Sequence, residues 1–183
     1  MGGLRKGLKA LFLTKSMKKT LIVINGEAGS GKDTFVQFCQ QILGKDVVKN
    51  IHSSDHAKNV LKIMKWNGEK DEETRRLLAD LVAFGEKTGF NTSNLYSFLN
   101  CSTAKVVFYH QRDPKVIDKI KNHYWFDDDI EVITLLIDRK LKKQETDRWG
   151  IKDFEYDYII KNDTSLIGLL KKAHEFSQKI RQV

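Results

Sequence analysis

A glycine-rich loop between a buried strand and a helix is the feature that most constrains how this chain can fold. Residues 21–24 are apolar and mostly β-branched, which is typical of a strand buried on both faces of a parallel sheet. Gly26, Gly29 and Gly31 follow, and Lys32 stands where a helix begins. The loop N–H groups, the helix N-terminus and the lysine ammonium together predict a site for nucleotide phosphates.

The loop has the spacing G-x-x-x-x-G-K, but Asp33 stands where Ser or Thr is expected and Thr34 follows one place later. An ordinary glycine-rich turn is the alternative interpretation. The strand before the loop, the helix after it and the register of Lys32 favour the phosphate site. The residues predicted to contact the nucleotide are Gly26, Glu27, Ala28, Gly29, Ser30, Gly31, Lys32, Asp33 and Thr34.

The stretch GEAGSGKDT resembles the phosphate-binding loop of P-loop nucleotide kinases, whose adenylate-kinase branch has GKGT at this place. Its GKDT form is similar to that of phage deoxynucleoside monophosphate kinases and animal-type phosphomevalonate kinase. The resemblance implies ATP as the phosphate donor, with Mg²⁺ as its ion. It also implies that Thr34 supplies the hydroxyl near the phosphates, while Asp33 is either tolerated or holds magnesium-bound water.

Three further stretches resemble this family, so the resemblance covers residues 20–180, although only the loop is strongly specific. SSDHAKNVLK is similar to the opening of the acceptor region, FYHQRDPKVI to a strand followed by Arg, an acid and Pro, and FEYDYIIKND to the closing strand. The resemblance implies a P-loop α/β/α fold of three layers, with a five-stranded parallel sheet in the order 2-3-1-4-5. It places the acceptor in a helical insertion at residues 54–101.

Apolar runs and helical periodicities alternate along the chain, which by itself predicts a parallel sheet with right-handed crossovers. The predicted strands are 21–24, 47–51, 105–109, 132–137 and 156–160. Predicted helices begin near positions 32, 54, 72, 95, 114 and 166, and a break at 89–94 precedes the fourth. The side chains expected to face inward include Val60, Met64, Leu77, Leu166 and Leu170.

The charge of the chain is concentrated at its N-terminal end. The net charge is +8, and residues 1–19 contain six basic residues and no acid, so residues 20–183 carry only +2. This gives no argument for a polynucleotide partner. We interpret residues 1–19 as a basic extension, either frayed or a short amphipathic helix, with the frayed form favoured. Residues 20–183 form the predicted domain.

The apolar residues and the cysteines bear on the compartment. No run of 18 apolar residues occurs, so no membrane span is expected. Cys39 and Cys101 lie far apart without metal-ligand spacing, which predicts buried reduced thiols in a cytoplasmic protein. The 183 residues, 40% of them apolar, suffice for the core of one α/β domain.

Phosphoryl transfer requires cations around the moving group, and three arginines outside the loop are candidates near the reacting phosphate. Arg112 follows the third predicted strand, at the sheet edge where ligands bind. Arg139 and Arg148 lie in a basic stretch at residues 138–150. This stretch is either a short lid that closes on the triphosphate or a solvated loop.

Three arginines, together with two N-terminal residues of the insertion, are candidates for binding the acceptor. Arg112 would bind an acceptor phosphate, and so would Arg75 and Arg76, unless those two form a solvated helix face. Asp55 would orient or deprotonate an acceptor hydroxyl, with helix capping as the alternative, and Ser54 precedes it.

The candidate magnesium ligands are Asp33, Thr34 and Asp113, because Mg²⁺ prefers oxygen ligands. An N-cap role explains Asp113 equally well, since Pro follows it at a helix start. His52 and His110 lack a partner at metal-ligand spacing, so we interpret them as ordinary strand-end histidines.

The favoured function is ATP-dependent transfer of the γ-phosphoryl group to a small phosphorylated acceptor, with a (deoxy)nucleoside monophosphate preferred over a phosphorylated alcohol or a nucleoside. A binding module that holds ATP or GTP and signals to a partner without phosphorylating anything is the alternative from another class. Asp33 favours that module, because it replaces the expected Ser or Thr. The helical insertion and the basic lid favour the kinase.

Overall fold

The computed structural model describes residues 18–69, 71–122, 129–140, 151–163 and 165–181. Along these residues, five strands are separated by helices. The strands are β1 (Lys19–Asn25), β2 (Val48–His52), β3 (Val106–His110), β4 (Ile130–Asp138) and β5 (Tyr158–Lys161). The helices are α1 (Lys32–Leu43), α2 (Asp55–Ile63), α3 (Glu72–Lys87), α4 (Phe90–Cys101), α5 (Pro114–Lys121) and α6 (Leu166–Arg181), and a 3₁₀ helix (Ile151–Asp153) precedes β5.

The strands form one parallel sheet in the order β2-β3-β1-β4-β5, which confirms the predicted order. β1 lies at the centre, with β3 and then β2 on one side of it and β4 and then β5 on the other. The register pairs Ile24 with His110 and Asn25 with Leu136, so the strands end at one common edge. In open parallel sheets this edge, at the point where the strand order reverses, is where ligands bind.

Helices α1 and α6 cover one face of the sheet. Phe35 of α1 and Phe108 of β3 each pack against Phe176 of α6, with ring centroids 5.7 and 6.5 Å apart. All three rings are buried. Full burial of one such ring stabilises the fold by roughly 1.5–3 kcal/mol. This layer fixes α1, and with it the loop that leads into α1.

Helices α4 and α5 cover the opposite face. Leu99 of α4 and Ile117 of α5 are fully buried against Leu21 and Val23 of β1 and their neighbours in β3. Two helical layers therefore enclose the sheet, as the predicted three-layer fold requires.

The insertion between β2 and β3 contains α2, α3 and α4, but α4 begins earlier than predicted. It starts at Phe90, so the predicted break at 89–94 is wrong. The physical reason is that Gly89 alone makes the turn, since its φ of 72° lies in the left-handed region that glycine adopts readily. Asn and Ser residues after it, which favour loops in a sequence, are here part of the helix.

Several apolar side chains predicted to face inward are exposed instead: Val60, Met64, Leu77, Leu166 and Leu170. The apolar stripe of a helix shows which face is apolar, but not how far the neighbouring layer extends over it. α3 illustrates this, because Gly85 is its only buried residue in the part of the chain that the structure describes. The insertion therefore carries apolar surface that the sheet does not cover.

The cysteines differ in exposure. Cys39 is buried in α1, and burial raises the pKa of its thiol to about 12. Cys101 is exposed at the last residue of α4, so its predicted burial is wrong. The predicted extension at residues 1–17 and the greater part of the predicted lid, residues 141–150, lie outside the described residues. None of the described helices is long and apolar enough to cross a membrane.

Candidate nucleotide-binding site

The glycine-rich loop leaves the end of β1 and turns directly into α1. Gly26 and Gly31 have φ angles of +143° and +97°, which side chains rarely tolerate. A Cβ on Gly26 would stand 2.5 Å from the Ile137 carbonyl oxygen, and one on Gly31 would stand 2.5 Å from Asn162 Nδ2. Glycine is therefore required at both positions by the backbone angle and by the close approach of β4 and of the residue after β5.

Two asparagines hold this loop against the ends of neighbouring strands. The Oδ1 of Asn25 accepts the next residue's N–H at 2.7 Å, while its Nδ2 donates to the Arg112 carbonyl at 3.1 Å and the Tyr156 hydroxyl at 2.7 Å. Asn162 Nδ2 donates to the Ser30 carbonyl at 2.8 Å. Each asparagine is buried, so these bonds fix the loop where β1, β3 and β5 end. The sequence motif contains neither residue.

Lys32 folds back over the loop. Its Nζ donates to the carbonyls of Gly26 at 2.6 Å and Glu27 at 2.7 Å. Burial, followed by the positive charge of Arg112, lowers the pKa of Lys32 to about 8, although Asp33 and Glu27 act in the opposite direction. A lysine that is this difficult to keep charged favours an anion beside it. An anion bound at the loop would therefore stabilise the charged form of Lys32.

Other polar groups around the loop fit a phosphate ligand. The Ser30 hydroxyl is buried and has no hydrogen-bond partner within the described part of the chain. Arg139 Nη1 donates to the Gly29 carbonyl at 3.3 Å, which places its guanidinium on the loop. Arg112 lies close enough to Lys32 to influence its charge. Arg148 falls outside the described residues.

An open cleft of about 320 Å³ adjoins the loop, and Arg139, Lys140, Asn162 and Asp163 line it. The Lys140 N–H donates to Asp163 Oδ1 at 3.4 Å, which connects the end of β4 with the segment after β5. A planar guanidinium at its wall suits a flat aromatic ligand, because arginine stacks on such rings.

The two acceptor candidates before and at the start of α2 behave differently. Ser54 occupies the N-cap position of α2, but its side chain makes no capping hydrogen bond. Asp55 Oδ2 accepts the His52 N–H at 2.8 Å, and its Oδ1 pairs with Lys58 Nζ at 2.8 Å. Burial raises the pKa of Asp55, but hydrogen bonds from Lys58 and His52 outweigh it, so the net pKa is lowered. Asp55 is therefore a carboxylate whose position at the end of β2 is fixed by the His52 N–H and by Lys58.

The surroundings of Arg76 and Asp113 support the simpler of their two interpretations. Arg76 Nη2 pairs with Glu72 Oε1 at 2.5 Å on an exposed face of α3, as a solvated helix face does. Arg75, beside it, is also engaged in an interaction. Asp113 Oδ1 accepts the Lys115 N–H at 2.9 Å, which is the capping bond of α5. Phosphate binding by the arginines and magnesium binding by Asp113 stay predictions.

A polar network that the sequence analysis missed connects the insertion to the end of β3. Glu86 Oε1 accepts Asn91 Nδ2 at 2.9 Å and Gln111 Nε2 at 3.0 Å. The Oε1 of Gln111 accepts the Arg112 N–H at 2.7 Å. The one signal in the sequence was the polar run after β3. The network couples the position of Arg112 to α3 and α4.

The structure also brings together three residues that sequence reasoning left apart. Asp33, in the first turn of α1, lies 3.8 Å from the Nε2 atoms of both His52 and His110. These histidines end β2 and β3 and stack on each other. Their interpretation as ordinary strand-end histidines stays a prediction, and the carboxylate of Asp33 lies near both rings.

No family model and no curated protein matches this chain. A solved structure from Chloroflexus aurantiacus j-10-fl, provisionally assigned as a kinase, is 14% identical, covers 90% of this chain and 98% of its own, and has a TM-score of 0.54. The Mycobacterium tuberculosis APS kinase CysC in complex with AMPPNP and APS is 13% identical, with 90% and 98% covered and a TM-score of 0.49. The first likeness shows a shared fold, an α/β fold around a five-stranded parallel sheet.

Proposed function

We propose that the protein is an ATP-dependent phosphotransferase that moves the γ-phosphoryl group to a small phosphorylated acceptor, a (deoxy)nucleoside monophosphate. The observation that carries the proposal is Lys32, whose ammonium lies over the loop carbonyls with a pKa lowered to about 8. A phosphate oxygen would stabilise the charged form of this buried ammonium. The stabilisation would be largest for an oxygen whose negative charge grows during phosphoryl transfer.

The donor has a place for each of its parts. Its β- and γ-phosphates would lie on the loop N–H groups of residues 26–34, at the positive end of the α1 dipole. Its base would enter the cleft beside Arg139, where the guanidinium stacks on the purine. These two places adjoin, since Arg139 already touches the loop at Gly29.

Positive charge converges on the place of transfer. The positive charge of Arg112 is close enough to Lys32 to lower the pKa of Lys32, and Arg139 donates a hydrogen bond to the loop at Gly29. Such a preorganised cluster of cations stabilises the charge on the phosphoryl group more strongly in the transition state than in the ground state. Arg148 would join it from the lid.

The residues present fit Mg²⁺. Asp33 offers an exposed carboxylate at the loop, and the Thr34 hydroxyl is its neighbour in the first turn of α1. Mg²⁺ bound with ATP neutralises charge on the β- and γ-phosphates. We assign Asp33 and Thr34 to hold it, and Asp113 is the weaker candidate because it caps α5.

The acceptor would bind between α2, α3 and the end of β3. Asp55 is anchored there as a carboxylate and would orient the acceptor, with Ser54 beside it. The buried Gln111 and the partly buried Glu86 provide polar groups that would recognise hydrogen-bonding atoms of a base. Arg75 and Arg76 on α3 would bind its phosphate.

The test is a coupled ADP-release assay across the ribonucleoside and deoxyribonucleoside monophosphates. We expect turnover with one or a few of them, and we expect Lys32→Ala to reduce kcat/KM by at least about 100-fold. Lys32→Ala should also abolish the rise in melting temperature on adding magnesium-ATP. Lys45→Ala, at an exposed lysine, is the matched control and should behave as wild type. Absence of any magnesium-ATP shift in the wild type would refute the proposal.

The replacement of Ser or Thr by Asp33 supports a second candidate, a nucleotide-binding module without transferase activity. The same assay separates the two functions. Tight ATP binding together with no ADP release from any monophosphate would favour the module.

A further inference from the structure

A histidine pair lies beside the phosphate loop, at the carboxyl ends of β2 and β3. His52 and His110 are the last residues of these strands and stand opposite each other in the parallel register. Their rings stack with centroids 4.0 Å apart and an interplanar angle of 27°. Asp33 approaches from α1, and its Oδ1 lies 3.8 Å from the Nε2 atom of each ring.

The buried member of the pair has no partner for its ring nitrogen. His110 is 7% exposed, and its Nε2 makes no hydrogen bond within the described residues. A buried polar atom without a partner is destabilising, so native proteins seldom keep one without a reason. The atom faces the other two residues, which indicates a ligand shared by all three.

An imidazole nitrogen without a proton presents the lone pair that a metal ion needs, and each of the two rings offers one such nitrogen to the cluster.

We propose that Asp33, His52 and His110 form a site for a divalent transition-metal ion such as Zn²⁺ or Co²⁺. Each residue offers one ligand atom, and the three atoms lie within 4.8 Å of one another. Two imidazole nitrogens and one carboxylate oxygen suit these ions, whereas Mg²⁺ prefers oxygen alone. The set leaves at least one coordination position to water or to a phosphate oxygen, as in sites with three protein ligands.

Closing the site requires the partly exposed His52 ring to tilt out of its stack on His110, so that both nitrogen lone pairs point at one ion, and the Asp33 carboxylate to approach. Ligand bonds to Zn²⁺ are about 2.0–2.2 Å long, so neighbouring ligand atoms must come somewhat closer than the 3.8 Å seen here. The Asp33 side chain is 68% exposed and His52 is partly exposed, so both can adjust. The Asp55 carboxylate holds the His52 N–H and adds negative charge nearby, while Lys32 and Lys58 oppose the ion.

The inference stands apart from the proposed kinase function, because the metal is bound by side chains without nucleotide. It also changes what is expected of Asp33. An ion held here would occupy a carboxylate otherwise assigned to the magnesium of ATP, and would stand beside Lys32 at the phosphate site.

The test is titration of the full chain, stripped of metal with a chelator and free of nucleotide, with Co²⁺. We expect one equivalent to bind with visible d–d absorption, Zn²⁺ to displace it, and millimolar Mg²⁺ to leave it in place. We expect Asp33→Asn, His52→Gln and His110→Phe each to weaken Co²⁺ binding at least roughly 10-fold, since loss of groups that only support metal ligands has effects of this size.

His174→Gln is the matched control, because that histidine is exposed on α6 and its ring hydrogen-bonds the Gln178 side chain, away from the site. It should bind Co²⁺ as wild type does. Asp33→Asn changes an exposed side chain, so we expect this variant to fold as the wild type does. A melting curve recorded without metal verifies this. A Zn²⁺-dependent rise in melting temperature should be present in the wild type and absent in Asp33→Asn.

Wild type without saturable Co²⁺ binding, or with binding that all three site variants retain, would overturn the proposal. Either result leaves the magnesium-ATP shift and its loss in Lys32→Ala as a separate measurement, so failure of the metal site and failure of the kinase assignment are distinguishable.

Discussion

Gly29 and Gly31 lie two residues apart in one loop, yet their α-carbons have different surroundings. Both have positive φ angles, +77° and +97°. A Cβ on Gly29 would meet nothing within 4 Å, whereas one on Gly31 would stand 2.5 Å from Asn162 Nδ2. We expect Gly29→Ala to lower the free energy of unfolding by about 1–2 kcal/mol through backbone strain alone. Gly31→Ala should lower it further, because Asn162 must also give up its bond to Ser30.

Urea denaturation of the two alanine variants and the wild type measures this difference. Equal losses in both variants would contradict the role assigned to Asn162. Asn162→Ala combined with Gly31→Ala should then show less than the sum of the separate effects, since the two changes share one contact.

The lowered pKa of Lys32 predicts a pH dependence of stability. The folded pKa of about 8 lies below the ordinary 10.5, so the unfolded chain binds more protons between these values and the Lys32 contribution to stability rises with pH. Burial raises the pKa of Cys39 to about 12, which acts in the opposite direction above about pH 9. The informative quantity is therefore the difference between wild type and Lys32→Met.

Unfolding free energies measured from pH 7 to 9.5 give that difference. The free energy of unfolding of the wild type, minus that of Lys32→Met, should increase by on the order of 1 kcal/mol or more across this range. A constant difference would mean that Lys32 titrates normally in the folded protein.

At the residue scale, the loop and Lys32 could be predicted because the motif is local in sequence and its glycine requirement is a backbone property. Asn162, His52 and His110 could not, because their roles depend on which strands lie side by side. The sequence places His52 far from His110, and the register of β2 with β3 puts them in contact.

At the scale of elements, one aspartate connects α5, β4 and β5. Asp157 Oδ2 accepts the N–H and hydroxyl of Thr134, both at 2.8 Å, and Asp157 Oδ1 pairs with Lys121 Nζ at 2.6 Å. Thr134 is fully buried. We expect Asp157→Asn to lower the free energy of unfolding by about 1–3 kcal/mol, because it disturbs the acceptor of two buried donors.

The effect of Asp157 should depend on pH in a defined direction. Burial raises its pKa, but hydrogen bonds from Lys121 and Thr134 outweigh it and hold the pKa below 3.8. Its contribution is therefore complete above about pH 4 and is lost as the pH falls through the folded pKa. Chemical denaturation at pH 7, 4 and 3 should show that the difference in free energy of unfolding between wild type and Asp157→Asn becomes smaller as the pH falls. Asp153→Asn, at an exposed aspartate, is the control and should differ little from wild type.

Strands were easier to predict than the helices of the insertion. Each predicted strand overlaps the observed one, because an apolar run buried on both faces has few alternatives. The predicted start of α4 was wrong because residues 89–94 have a composition that favours a loop. In the structure Gly89 alone makes the turn, and the helix begins at the next residue.

At the scale of the molecule, the sheet order followed from a resemblance, since alternating strands and helices alone predict only that the strands are parallel. What neither periodicity nor resemblance predicted is the uneven coverage of the helices. α1 and α6 bury large apolar side chains against the sheet, whereas Phe84 and Phe90 of the insertion are exposed.

This uneven coverage predicts uneven local stability. Amides in α3, which buries only Gly85 among its residues, should exchange by local opening, while those in α1 and α6 should need near-global unfolding. We expect an opening free energy in α3 lower than that in α1 by on the order of 2 kcal/mol. Hydrogen exchange followed by mass spectrometry measures it. If the proposed function holds, the right monophosphate should protect α2 to α4 selectively, and magnesium-ATP the loop and α1. Equal protection of α3 and α1 in the free protein would show that the insertion opens only together with the sheet.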